Sequence, residues 1–226
     1  WWFVGRRRLF QRLMQEYCTD ADSILDIGCG TGANLRMVRD IEIGTITGVD
    51  ASPLAIKHCR DKAFKETLVG DICALPYSDM SFDIVLATDV IEHVADDLAA
   101  VSEIFRVLRP GGKAIFTVPA FQSLWGLQDE LSHHYRRYRM APFCALLEAA
   151  GLTISLRFHF NYFLFLPIWT TRQVLRLTKF SFRSENDLNT PLLNCMLSFI
   201  FKFDVASARW LRPPFGVSIC AVVSKH

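Results

Sequence analysis

The sequence predicts an α/β protein: a mostly parallel sheet with helices on both faces. Three observations carry this. Strand and helix signals alternate through the first two thirds of the chain. The first apolar run, Ile24–Cys29, leads into glycines at alternate positions (Gly28, Gly30, Gly32) and then into a helical pattern. Hydrophobic residues make up 51% and charged residues 21% of the 226 positions, a balance that suits a buried core and excludes disorder. That length suits one domain, 1–226, with an elaboration.

Ile24–Cys29 reads as the first strand and Ala33–Asp40 as the first helix of the alternation. Thr45–Asp50 is β-branched and ends in an acid, a second strand. Ser52-Pro53 reads as an N-cap with proline at the first helical position, opening a helix to about Phe64. Thr67–Asp71 is a short third strand, and Phe82–Ala87 an apolar strand for the sheet centre. Asp96–Leu108 places Leu98, Val101, Ile104, Phe105 and Leu108 on one helical face, and Pro110-Gly111-Gly112 is expected to break the chain after it. Lys113–Val118 is a fifth strand, Pro142–Ala150 a helix closed by Gly151, Leu152–Phe160 a sixth strand and Gly216–Ser224 the last. Residues 161–214 interrupt the pattern with apolar helical segments, Asn161–Phe180 and Leu192–Leu211, and read as an insertion before the last strand.

A net charge of +2 gives no general case for nucleic acid. Seven scattered cysteines without a C-x-x-C pair indicate neither zinc nor a disulfide framework, so a reducing, cytoplasmic setting is expected. The chain begins at Trp1, and Arg6-Arg7-Arg8 is followed by a mixed segment that does not read as a signal peptide. The longest uncharged runs, Phe158–Thr171 and Leu188–Phe201, fall short of the roughly 18 residues of a spanning helix.

The glycine spacing is G-x-G-x-G, one residue shorter than the G-x-G-x-x-G of dinucleotide folds. Asp50, about twenty residues on, can accept both ribose hydroxyls of an adenosine. Asp71 can take the adenine amino group while Ile72 covers the ring. Asp26, within the glycine motif, suits a cationic ligand such as a sulfonium and would repel a pyrophosphate.

Leu25–Gly32, Gly48-Val49-Asp50, Gly70-Asp71, Ser81–Val85, Ile91–Val94 and Leu108–Gly112 occur in the order seen in class I S-adenosylmethionine-dependent methyltransferases. Over about residues 20–155 the chain resembles the small-molecule group that includes the ubiquinone and menaquinone enzymes. The resemblance implies a Rossmann-like three-layer sandwich: a seven-stranded, mostly parallel sheet whose antiparallel last strand would be Gly216–Ser224. It implies S-adenosylmethionine as cofactor, with Gly28, Gly30 and Gly32 near its methionine part, Asp50 and Ala51 at the ribose, Asp71 and Ile72 at the adenine, and Thr88 and Asp89 at the site of methyl transfer.

Two segments offer a base. Asp89, Glu92 and His93 share one face if the segment is helical. Related ubiquinone-type O-methyltransferases carry glutamate at the first of these positions and bind a divalent metal there. The shorter Asp89 speaks against a metal, and His93 then packs beneath the cofactor. Trp125–Tyr138 mixes Asp129, His133, His134, Arg136, Arg137 and Tyr138, a composition that can bind a phosphate or carboxylate and supply a base. This stretch is similar to an Asp…His-x-Arg-Arg-Tyr pattern in bacterial methyltransferases associated with cell-surface polysaccharide or lipid carriers, in which His134 is the match. Catalytic roles are therefore expected for His134, His133 and His93, and acceptor binding for Arg136, Arg137 and Tyr138.

The insertion is open to several readings: a lid over a greasy substrate, a homodimer interface, plain core packing, or attachment at the inner membrane face through Arg172, Arg176, Lys179 and Arg183, extended by Trp1, Trp2 and Phe3 beside Arg6–Arg8. The expected activity is methyl transfer to an oxygen of an amphipathic or lipid-linked small molecule. The alternatives are a soluble O- or N-methyltransferase with the insertion as lid, and a non-catalytic cofactor-binding subunit at a membrane.

Overall fold

A computed structural model describes residues 2–17, 21–178 and 191–226. Helix α1 (Trp2–Tyr17) precedes β1 (Ser23–Ile27), α2 (Ala33–Ile41), β2 (Thr45–Asp50), α3 (Pro53–Asp61), β3 (Thr67–Val69) and β4 (Phe82–Thr88). Then follow α4 (Asp97–Val107), β5 (Leu108–Pro119), α5 (Leu127–Leu131), α6 (Met140–Ala149), β6 (Thr153–Phe160), α7 (Phe165–Thr178), α8 (Pro191–Leu211) and β7 (Ser218–Ser224).

The strands form one seven-stranded sheet in the order β3-β2-β1-β4-β5-β7-β6. The first five are mutually parallel, and β7 runs antiparallel between β5 and β6, so the antiparallel last strand is present as expected. Alternate side chains sort to opposite faces. Leu25, Val85 and Phe116 point to one, against Val101 and Ile104 of α4 and Phe143 of α6. Ile24, Leu86 and Ile115 point to the other, against Phe10 of α1, Met37 of α2 and Phe201 of α8. The three layers follow from this two-sided burial.

At the N-terminal edge of the parallel strands, Asp83 accepts from Ser23 Oγ (2.8 Å) and pairs with Arg109 (2.7 Å). These residues of the family motif therefore tie strand starts together and lie away from the ligand edge. Pro110-Gly111-Gly112 does not break the chain into a separate loop. It lies inside β5, where Gly111 (φ +78°) donates to Lys225 O at 2.8 Å. Lys225 Nζ in turn caps the carbonyls of Phe105 and Leu108, both at 2.8 Å.

Helix α1 has no counterpart among the expected elements. Its Trp2 ring stacks on Phe160 (6.0 Å) and lies 5.0 Å from Phe201, so Trp2 is half-buried against the core. Trp1 and the side chain of Phe3 lie outside the described residues. A Cβ at Gly5 would sit 2.0 Å from the Phe201 ring. Gly5→Ala is therefore expected to cost about 1–3 kcal/mol by overpacking, read as a lower denaturant midpoint; an unchanged midpoint would show that α1 is not seated on α8.

Of the basic residues expected to face lipid, Lys179 and Arg183 lie outside the described residues. Arg172 instead turns inward, where it is buried and donates to Leu124 O, whereas Arg176 stays exposed while donating to Trp125 O at 2.6 Å. The carbonyls of Ser123, Leu124 and Trp125 face α7 there, and the side chains of Gln173, Arg172 and Arg176 satisfy them.

Candidate active site

The C-terminal ends of β1, β2, β3 and β4 open onto a cavity of about 330 Å³, beside the point where strand order reverses between β1 and β4. Gly28, Asp50, Ala51, Asp71, Ile72, Asp89 and His93 line it. Gly28 (φ +67°) leaves β1 with its N–H on Val49 O at 2.8 Å, and a Cβ there would meet Val90 at 2.7 Å. Gly30 (φ +52°) has open space where a Cβ would stand, so the backbone is bare to a ligand. Its N–H donates to Asp50 Oδ2 at 2.8 Å, while Asp50 Oδ1 accepts from Ser52 N–H at 2.8 Å. Asp50 thus anchors the glycine turn and still has lone pairs for ribose hydroxyls. Gly32 is placed elsewhere: it caps α2 at φ +85°, with Cys59 and Phe64 where its side chain would be.

Asp26 is fully buried below this turn. Asn34 Nδ2 donates to Asp26 Oδ1 (2.9 Å) and to Thr88 Oγ1 (3.0 Å), which accounts for Thr88 being off the cavity wall. Asp26 Oδ2 has no partner among the described residues. Burial pushes the Asp26 carboxyl up to about 7, against the pull of the Asn34 hydrogen bond. An orphaned buried oxygen beside bare glycine backbone fits a cationic ligand, as an adenosyl sulfonium is. Asp89, at φ +51° after β4, accepts from Thr117 Oγ1 (3.1 Å) and pairs with Arg6 of α1 at 2.7 Å. The Arg6 guanidinium lies over the rings of Trp2 and Phe10, at 5.4 and 5.3 Å.

Beyond Asp89 the chain makes a single 3₁₀ turn, Ile91–His93, rather than the helix that would set Asp89, Glu92 and His93 on one face. Glu92 is fully buried, and neither carboxylate oxygen has a partner among the described residues. Burial first, then the charge of Asp89, raises its carboxyl well above the ordinary range. His93 meets His134 edge to face at 4.5 Å; burial and then His134 lower its pKa. Glu92, His93 and His134 each bring one ligand atom within 4.8 Å of the others, a spacing that admits a divalent cation, whereas Asp89 is engaged by Arg6.

His134 is held from behind. Its Nδ1 lies 2.9 Å from Oδ1 of Asp129, which is fully buried. Arg137 donates to both Asp129 oxygens, at 2.7 and 3.0 Å, and Arg172 of α7 lies at 3.6 Å. Burial alone would raise Asp129, but hydrogen bonds from His134 and Arg137 hold it down at about 2.

His133, at φ +54°, is exposed and does not join this cluster. Arg137 is spent on Asp129 and the Ala120 carbonyl. Arg136 pairs with Asp97 at 2.9 Å and reaches the Val94 and Ala95 carbonyls, and the buried Tyr138 hydroxyl donates to Asp97 at 2.9 Å. These three side chains, expected to bind an acceptor, are engaged inside the protein and hold residues 134–138 against the turn that carries Glu92 and His93. Sequence reading misses Asn34 and Arg6 as site residues; nothing local marks a contact between α1 and the end of β4. Asp129 carries a signal in its spacing five residues before His134. A larger cleft of about 520 Å³ runs along the outer edge of β6 beside Glu148 and Arg157 and touches none of these residues.

Comparison with known proteins agrees with this geometry. A family model described as "Methyltransferase domain" matches residues 25–116. A probable S-adenosylmethionine-dependent methyltransferase of Mycolicibacterium smegmatis is 32% identical over 158 residues, 69% of this chain and 60% of the relative. A malonyl-[acyl-carrier protein] O-methyltransferase of Serratia marcescens is 37% identical over 109 residues, 48% of this chain and 42% of its own. The chain thus spans less than two thirds of the length of these curated relatives. In fold it is similar to phosphoethanolamine N-methyltransferase 2 of Haemonchus contortus, solved with S-adenosyl-L-methionine: the TM-score is 0.63, at 19% identity over 96% of this chain and 52% of that one. Sheet order, glycine turn and family match together show that the chain contains a class I S-adenosylmethionine-dependent methyltransferase domain.

Proposed function

We propose that the protein transfers a methyl group from S-adenosylmethionine to an oxygen of an amphipathic or lipid-linked small molecule, with His134 as general base. The observation that carries the reading is the Asp129–His134 pair, whose imidazole stands edge-on to His93, itself a residue of the cofactor cavity wall. Bound S-adenosylmethionine supplies an electrophilic methyl carbon for in-line displacement. Asp50 and Asp71 hold its ribose and adenine, and Asp26 faces its cationic part. Asp129 fixes the imidazole through Nδ1, which leaves Nε2 of His134 to take the proton from an acceptor hydroxyl. Positioning is the rest of the work, and Arg136, Arg137 and Tyr138 perform it by bracing the segment that carries His134.

Helix α7 takes part as a wall. Arg172 and Arg176 tie it to residues 124–125, and Arg172 also reaches Asp129, so the insertion closes over the acceptor side rather than standing apart. Aromatic rings continue from there: Phe121 meets Phe165 at 5.5 Å, and Phe165 meets Phe215 at 5.2 Å, a surface suited to an apolar tail. Tritium from labelled cofactor is expected in a lipid extract; label confined to aqueous metabolites would refute the lipid-linked acceptor.

Asp26 makes a pH dependence. In the free protein its carboxyl titrates near 7, so it is mostly protonated at pH 6 and mostly ionised at pH 8. A cationic ligand prefers the ionised form. Affinity for S-adenosylmethionine is therefore expected to rise by about tenfold from pH 6 to pH 8, following the competent fraction. Asp26→Asn should flatten that rise in a calorimetric titration, and an equally steep rise in the variant would remove Asp26 from the role.

A further inference from the structure

We infer that the outer face of α8, rimmed by the arginines of α1, docks the protein on an anionic bilayer surface. This deepens the reading of an amphipathic acceptor and rests on it only for its purpose. The inner face of α8 is spent on the core through Phe201, Val205 and Ala208. The outer face carries Met196, Phe199, Phe203, Trp210 and Leu211, all exposed, at spacings that put them in one stripe. Phe199 is 75% and Trp210 81% exposed, which is far outside the scattered single exposures of an ordinary surface. Phe163 meets Phe203 at 5.9 Å and carries the apolar stripe onto the turn before α7.

The charge around this stripe is one-sided. Helix α1 carries Arg6, Arg7, Arg8 and Arg12 against the single acid Glu16, and Glu16 is itself paired with Arg209. Arg7, Arg8 and Arg12 are exposed, as is Lys202 on α8, whereas the one acid of α8, Asp204, is fully buried. Arg12, Arg209 and Trp210 line one groove of about 310 Å³ between the two helices. Bulky apolar groups edged by cations match a headgroup layer with acyl chains beneath it. A two-fold contact with a second copy matches less well, because an isologous interface sets the same cationic rim against itself. Among the described residues no helix is long and apolar enough to cross a membrane, so the element would lie in the plane of the surface. The same helix that offers Arg7, Arg8 and Arg12 outward also reaches Asp89 through Arg6, so α1 contributes to both the surface and the site.

Co-sedimentation with vesicles tests this, using phosphatidylcholine alone and phosphatidylcholine with 30% phosphatidylglycerol, roughly the anionic content at which basic residues are attracted. The protein is expected to bind the anionic vesicles about tenfold or more above the neutral ones. Phe199→Ser with Trp210→Ser, and separately Arg8→Glu with Arg12→Glu, should each abolish the excess while melting temperature and S-adenosylhomocysteine binding stay unchanged, since all four residues are exposed. No excess on anionic vesicles, an excess unchanged in both variants, or a dimer in sedimentation velocity that Phe199→Ser dissolves would each overturn the inference. Loss of S-adenosylhomocysteine binding by the parent protein would instead refute the methyltransferase reading.

Discussion

Alanine at position 134 is expected to lower turnover by about 100- to 10,000-fold, the usual range for a general base, with S-adenosylhomocysteine affinity held within about twofold. The split follows from placement. His134 stands beside His93, which lines the cavity, while the glycine turn is anchored by Asp50, so removing the His134 ring takes away proton transfer and leaves the cofactor's seat intact. Asp129→Asn is expected to lower turnover too, but by another route. It leaves Arg137 and Arg172 facing a neutral amide in a buried place, and breaking such a buried arrangement costs about 3–5 kcal/mol. The two variants therefore separate: His134→Ala loses turnover with a nearly unchanged melting curve, and Asp129→Asn loses both. Labelled-methyl transfer, calorimetric cofactor titration and thermal melting read the difference. Near-normal turnover in His134→Ala, or a matching loss of cofactor affinity, would remove His134 from the base role.

The second large effect belongs to Asp50. Its carboxylate holds the N–H groups of Gly30 and Ser52 and is offered to the ribose, so Asp50→Ala removes anchor and ligand contact together. Hydrogen bonds to a charged group contribute about 1.5–3 kcal/mol each, so the dissociation constant for S-adenosylhomocysteine is expected to rise by about 100-fold or more. Asp50→Asn keeps one acceptor oxygen and should fall between. Isothermal titration decides it, and an unchanged constant in Asp50→Ala would mean that the ribose is held elsewhere.

Much of this molecule is legible in the sequence because the relevant signals are local. Strand and helix periods, the Ser52-Pro53 cap, which does accept from Ala55 N–H, and the alternate glycines all act within a few residues. The cofactor side of the site follows from them, since strand ends place Gly28, Asp50 and Asp71 on one cavity. The acceptor side is less legible. Arg136, Arg137 and Tyr138 advertise charge and hydrogen bonding, but composition does not say whether the partner is a ligand or a buried Asp97 or Asp129. Arg172, buried beside Asp129, misleads for the same reason. Helix α1 escapes notice because its amphipathic face is completed by α8, nearly two hundred residues further on, and the role of Arg6 exists only after that packing.

The position of β7 has a consequence for the order in which the molecule is completed during synthesis. β6 pairs only with β7 among the described strands, and β7 leaves a ribosome after the whole of α7 and α8. Helix α1 waits for α8, nearly two hundred residues later, before Gly5 and Trp2 have Phe201 to rest on. A nascent chain that ends before residue 190 therefore owns the glycine turn and Asp50 but has no seat for the helix that brings Arg6 to Asp89. Cofactor affinity and a finished acceptor side arrive at different moments of translation, the second only once α8 has been made.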